Sequence, residues 1–158
     1  MMNGKIVKVR PYSRKGELRS SGSEFLSRKS GLVEFPSWNE LRDSLTKDDW
    51  KSMSLYSYRV NDPRNGDAKY MGFRVGKKLV GVCNVSTSSG VTYIGDFEVL
   101  PKYRGKHYGT KFFRSLQKMY KGQTLQLNYG NKSARKFWES VGFRSTSPKT
   151  TIMELNNN

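Results

Sequence analysis

Eleven consecutive residues, YRGKHYGTKFF at 103–113, combine glycine or small side chains at 105, 109 and 110 with the basic groups of Arg104, Lys106, His107 and Lys111. They follow an alternating run that ends at Leu100 and lead into Phe112, Leu116 and Met119 at helical spacing. A strand that turns through 104–109 into a helix leaves the first backbone N–H groups of that helix without acceptors, which makes an anion site. Gly105 and Gly109 allow close backbone approach, while Arg104, Lys106 and Lys111 add full charges to the partial positive charge of the helix end. The pattern is neither the GxxxxGK[ST] of a P-loop nor the GxGxxG dinucleotide fingerprint.

Just upstream, IGDFEVL at 94–100 places Asp96 and Glu98 in a run whose other side chains are mostly apolar. Unpaired carboxylates are costly in such a strand and are therefore often functional. Either could take a proton from an ammonium group, directly or through water, and strand alternation puts both on one face. The structural alternative is a cross-strand ion pair with Arg74 or Lys78. Cys83 is the single cysteine and His107 the single histidine, so no internal disulfide and no Cys/His metal cluster is expected.

These residues need elements to hold them. KIVKVRPY alternates like a half-buried first strand, and residues 13–31 read as a loop with a hint of a helical turn at Glu24. Ser37 with Glu40, and Thr46 with Asp49, have the spacing that opens two short helices. From Lys69 the period is two: KYMGFRV, LVGVCNVSTS and VTYIGDFEVL predict a three-strand antiparallel meander. A helix follows from about Gly105 to Tyr120, then a strand over Gln123 to Tyr129, a helix from Asn131 to Val141 closed by Gly142, and a hairpin made of FRSTS and TTIMEL. The order predicts one α/β domain over residues 1–155, with a mixed, mostly antiparallel central sheet flanked by about four helices, and a disordered tail at 156–158.

VLPKYRGKHYGTKFF and LNYGNKSARKFWESVGF together resemble the two signature segments of the GNAT superfamily of acetyl-CoA-dependent N-acetyltransferases. The resemblance covers about residues 69–155. It implies that Val99 and Leu100 offer backbone to the pantetheine arm, that Arg104, Gly105, Lys106, His107, Tyr108, Gly109 and Thr110 hold the diphosphate of coenzyme A, and that Asn131 and Arg135 sit beside the cofactor. The sequence departs from the family pattern at four positions. His107 replaces the middle glycine of the loop, and Trp138 stands where most relatives have a tyrosine that protonates the departing thiolate. Gly95 leaves only Asp96 of the two adjacent acids that polyamine acetyltransferases present, and Gln126 occupies a place where some protein-acetylating relatives have a glutamate base.

The net charge of +16 is uneven: residues 101–145 carry 11 Lys/Arg against one acid, and residues 1–30 carry 8 against 2. Such an excess implies polyanionic company, and the cofactor accounts for only part of it. Two readings follow. One is an acetyl-CoA-dependent enzyme that acetylates a primary amine, the acceptor macromolecular or attached to nucleic acid. The other is a GNAT-fold protein that has lost its chemistry and binds RNA, DNA or the ribosome, with Tyr103, Tyr108, Phe112 and Tyr120 available for base stacking. No apolar run is long enough to span a membrane or to serve as a signal peptide, so a cytoplasmic protein is expected.

Overall fold

Ser37 and Thr46 do what their spacing predicts. In the computed structural model, which describes residues 30–54 and 68–158, the Ser37 hydroxyl accepts from the Glu40 N–H at 3.1 Å and the Thr46 hydroxyl from the Asp49 N–H at 3.0 Å. They start α1 (Trp38–Asp43) and α2 (Lys47–Ser52). The strand expected from KIVKVRPY and most of the loop expected after it lie outside the described residues. A strand β1 (Ser30–Phe35) precedes α1, where the periodicity reading has a loop giving way to unassigned chain. Its six residues are too few for a period to stand out, and β2 supplies the hydrogen-bonding edge that makes them a strand.

The meander forms as β2 (Lys69–Val75), β3 (Lys78–Ser88) and β4 (Val91–Val99). A 3-10 turn at Pro101–Tyr103 leads to α3 (Tyr108–Met119), β5 (Thr124–Asn128), α4 (Lys132–Ser140), β6 (Arg144–Ser145) and β7 (Ile152–Asn156). The seven strands make one sheet in the order β1-β2-β3-β4-β5-β7-β6. Every neighbouring pair is antiparallel except β4 with β5, which is parallel.

Alternate strand residues feed two cores. Met71, Phe73, Val80, Cys83 and Ile94 pack with Phe112, Phe113 and Leu116 of α3 and Trp138 of α4. Tyr70, Leu79 and Val82 pack with Trp38 and Leu41 of α1 and Trp50 of α2, the two indoles meeting edge to face at 5.4 Å. Helices thus cover both faces, α1 and α2 on one and α3 and α4 on the other. Gly81 is required where α3 crosses β3, because a Cβ there would come within 2.9 Å of the Phe112 ring.

Two expectations are corrected. Helix α3 begins at Tyr108 and not near Gly105, because Gly105 (φ 81°) and His107 (φ 64°) both take left-handed backbone that ends the turn before the helix starts. The tail expected to be disordered is built in: Asn156 closes β7, and Asn157 is buried, its side-chain amide donating to the carbonyls of Gln117 and Tyr120 at 2.8 and 2.9 Å. The end of α3 leaves carbonyls short of donors, and a carboxamide can donate to two of them at once, that of Tyr120 also accepting from the Gln123 N–H at 3.1 Å.

Candidate active site

Strands β4 and β5 diverge. Their parallel pairing runs from Val91↔Thr124 to Tyr93↔Gln126 and stops, although β4 continues to Val99 and β5 to Asn128. Beyond Tyr93, β4 still pairs with β3 on its other side, so its outward-facing backbone groups look into a gap. A bulge opens that gap further: the β3–β4 register slips between Val82 and Asn84, and Asp96 on β4 has φ 51°.

At the far end of β4 the phosphate-type loop turns into α3. The first intrahelical bond is from the Lys111 N–H to the His107 carbonyl at 3.2 Å, so the N–H groups of Tyr108, Gly109 and Thr110 have no intrahelical acceptor. His107, at the cap position, provides no side-chain hydrogen bond and its ring is exposed. Among the described residues nothing caps that helix end. Gly109 sits where α3, β4 and α4 converge, its Cβ direction facing Phe137 at 3.5 Å and Val99 at 3.6 Å. Phe137 is therefore a lining residue the sequence reading missed; its only signal was its place one turn after Ala134 in the second signature segment.

The two carboxylates have separate partners. Asp96 accepts from the Asn84 side-chain amide at 2.7 Å, beside the gap. Glu98 is buried and accepts from the backbone N–H and hydroxyl of Ser54 at 2.9 and 3.0 Å and from the Arg104 guanidinium at 3.0 Å. The ion pair proposed from sequence for these acids thus exists for Glu98, with Arg104 in place of Arg74 or Lys78. Alternation between 96 and 98 is interrupted by the bulge at Asp96. Arg104 also donates to the Val99 carbonyl at 2.8 Å, so its side chain ties the loop to β4. Leu100 is bonded within the fold: its N–H donates to the Val80 carbonyl and its carbonyl accepts from the Tyr103 N–H, both at 2.9 Å.

In the second signature segment Asn131 caps α4, its side-chain oxygen accepting from the Ala134 N–H at 2.9 Å. Arg135 pairs with Glu139 at 3.0 Å and lies over the Tyr129 ring. Trp138 is buried among Phe97, Phe113, Phe137 and Phe143. Gln126 donates to Glu154 across β5 and β7 at 2.8 Å. Phe112 is fully buried, which removes it from the set of rings proposed for base stacking.

The family model described as the acetyltransferase (GNAT) family matches residues 34–143. The chain belongs to the GNAT family. Solved GNAT structures share its fold. An acetyltransferase of the GNAT family from Staphylococcus aureus is 14% identical over 82% of this chain and 100% of that one, with a TM-score of 0.61. The PaiA N-acetyltransferase from Thermoplasma acidophilum, in complex with coenzyme A, is 15% identical over 81% and 99%, with a TM-score of 0.60. The ribosomal-protein-S18-alanine N-acetyltransferase from Escherichia coli is 13% identical over 80% and 93%, with a TM-score of 0.58. Among curated proteins no sequence matches the chain.

The GNAT family is an acyltransferase family that uses acetyl-CoA, and acetyl-CoA is the cofactor of this chain. The geometry fits that donor: an uncapped helix end suits a diphosphate, and an open strand edge suits an arm that carries amide groups. Among the described residues no helix is long and apolar enough to cross a membrane.

Proposed function

We propose that this GNAT protein transfers the acetyl group of acetyl-CoA directly to a primary amine carried on, or held close to, a macromolecule, in the cytoplasm. The observation that carries the reading is the β4–β5 pairing that ends at Tyr93↔Gln126 with the uncapped N-terminus of α3 at the far end of the same strand. The strand edge from Ile94 to Val99 would hold the pantetheine arm. The N–H groups of Gly105 to Thr110, with Lys106 beside them, would hold the diphosphate, and Asn131 and Arg135 would flank it from α4. When bound, acetyl-CoA supplies the acetyl thioester, and the remaining work falls to this chain's residues.

An amine arrives as ammonium and must lose a proton before it can attack. Asp96 is the proposed base, because it borders the gap and has the Asn84 amide to orient it. Glu98 is proposed as a positioning residue, since its oxygens already accept three hydrogen bonds and hold Arg104. The proton that the nitrogen gives up as the N–C bond forms and the C–S bond breaks would pass through water to the departing thiolate. Trp138 cannot supply it, being buried and carrying only an indole N–H. Most of the rate is ascribed to orientation of the two reactants on the strand edge.

Two measurements test this. Titration calorimetry with coenzyme A should give a saturable heat, and a hundredfold excess over the dissociation constant should raise the melting temperature by several degrees, about 2.7 kcal/mol of stabilisation. Coenzyme A release should then appear with at least one class of amine, peptide or aminoacyl-tRNA. Asp96→Asn should lower turnover by roughly 10²–10⁴-fold with cofactor affinity unchanged, whereas Glu98→Gln should act mainly through cofactor affinity and melting temperature. Absence of both heat and melting shift with the wild-type protein overturns the enzyme reading; wild-type turnover in Asp96→Asn overturns the base assignment alone.

A further inference from the structure

Helix α3 carries Lys111, Arg114 and Lys118 on its outer face, and Lys121 follows its C-cap; all four are exposed. At about 100° per residue the first three fall within an arc of about 60°, opposite the buried Phe112, Phe113 and Leu116. Among the described residues little of their charge is cancelled. Between residues 105 and 145 the only acid is Glu139, which pairs with Arg135 on α4, against nine Lys/Arg. Among the described residues Lys111, Lys118 and Lys121 have no ion-pair partner.

The other face of the sheet is different. Residues 36–54, which form α1 and α2, hold Glu40, Asp43, Asp48 and Asp49 against Arg42, Lys47 and Lys51. The excess charge of the described part is therefore a property of one helical layer and not a general coating. The cofactor does not explain it either. Arg114 lies about 9 Å and Lys118 about 15 Å along the helix axis from Tyr108, beyond hydrogen-bond reach of a diphosphate held at the helix end.

The phenylalanines near this row are buried, and its tyrosines are half-buried. Phe112 and Phe113 are fully buried, and Tyr103, Tyr108 and Tyr120 pack against the core. A surface with cations in a row and no fully exposed tyrosine or phenylalanine beside it suits phosphates better than unstacked bases.

We propose that the outer face of α3, from Lys111 to Lys121, binds the phosphodiester backbone of a nucleic-acid duplex without sequence preference. Lys111 to Lys118 span about 10 Å of helix, which matches about three phosphates of one strand at about 3.4 Å of rise each. Arg114 is already oriented, donating to the Gln117 side chain at 2.9 Å. Lys111 borders the cofactor loop, whereas Arg114, Lys118 and Lys121 lie beyond it and do not depend on the acetyl-transfer site.

Fluorescence anisotropy of a labelled DNA duplex of about 20 base pairs, titrated between about 50 and 200 mM salt, tests the proposal with a log–log slope of about −3 to −4 expected, since each neutralised phosphate contributes about 0.9. The triple variant Arg114→Gln, Lys118→Gln, Lys121→Gln should make that slope shallower by about 2.7, and Lys118→Gln alone by about 0.9. Lys47→Gln with Lys51→Gln, on the other layer, should leave it unchanged, and a preserved melting temperature shows that each variant is folded. No binding at the lowest salt, a slope indifferent to Lys118→Gln, an equal loss in the Lys47 and Lys51 control, or tighter binding of a single strand of the same length would each overturn the proposal.

Discussion

His107 shows how one side chain can carry a cost that the rest of the loop tolerates. It takes φ 64° at the cap of α3, where the family pattern has glycine, and left-handed backbone costs a non-glycine residue about 1–2 kcal/mol. Glycine gives some of that back through its more disordered unfolded chain. We expect His107→Gly to stabilise the protein by about 1 kcal/mol, a rise of about 2–4 °C in melting temperature by calorimetry, with turnover retained. A lower melting temperature would mean that the imidazole makes a contact worth more than the strain. Glu98 makes the contrasting case. The sequence marks it as a candidate base because a carboxylate in an apolar strand is unusual, yet its neighbours at 54 and 104 turn it into a junction between the end of α2 and the start of the loop.

At the scale of elements, the ends matter more than the middles. Helices α1 and α2 are only six residues each, too short to stand alone, and rely on their Ser37 and Thr46 caps and on Trp38 and Trp50 packed under them. Helix α3 is finished by a residue from the opposite end of the chain's topology, Asn157, through two side-chain hydrogen bonds. Asn157→Ala should cost about 1–3 kcal/mol, because it leaves the Gln117 carbonyl without its donor and the Tyr120 carbonyl with only the Gln123 N–H, and the urea midpoint should fall accordingly. Deleting Asn158, which is exposed, should change nothing measurable. Equal stability of the two variants would return the last residues to the status of a tail.

Across the whole molecule the sheet separates two environments, a basic layer over the cofactor loop and a layer of mixed charge over β1 and β2. It also buries ionisable groups between them. Burial, with the Asp96 charge, pushes the Cys83 thiol well above its usual 9.0, and burial, with Cys83 and Glu34 nearby, pushes Tyr120 from 10.0 up to about 12. Both groups stay protonated in the folded chain after the unfolded chain has begun to lose those protons. Stability that is fully present below pH 9.0 is then lost as pH rises through and beyond it. The urea midpoint should therefore decline from about pH 9 upward, with a shallower decline in Cys83→Ala whatever its absolute stability. An equally steep decline in Cys83→Ala would place the alkaline sensitivity elsewhere.

Local rules sufficed for much of this protein. The meander boundaries, both capping pairs, the β4–turn–helix unit and the two signature segments are written in periods and spacings a few residues long, and those depend on neighbours in sequence. What they left open required contacts between distant residues. Glu98 met Ser54 and Arg104, Leu100 met Val80, and Asn157 met Gln117, none of which a period or a motif encodes. The divergence of β4 from β5 is of the same kind: each strand is legible alone, but nothing local says that their pairing stops at Tyr93↔Gln126. The sequence determined which residues could hold an acetyl-CoA diphosphate. Only the tertiary structure decided which of the nearby charges stay available, because a charge paired within the fold is spent on holding the fold together.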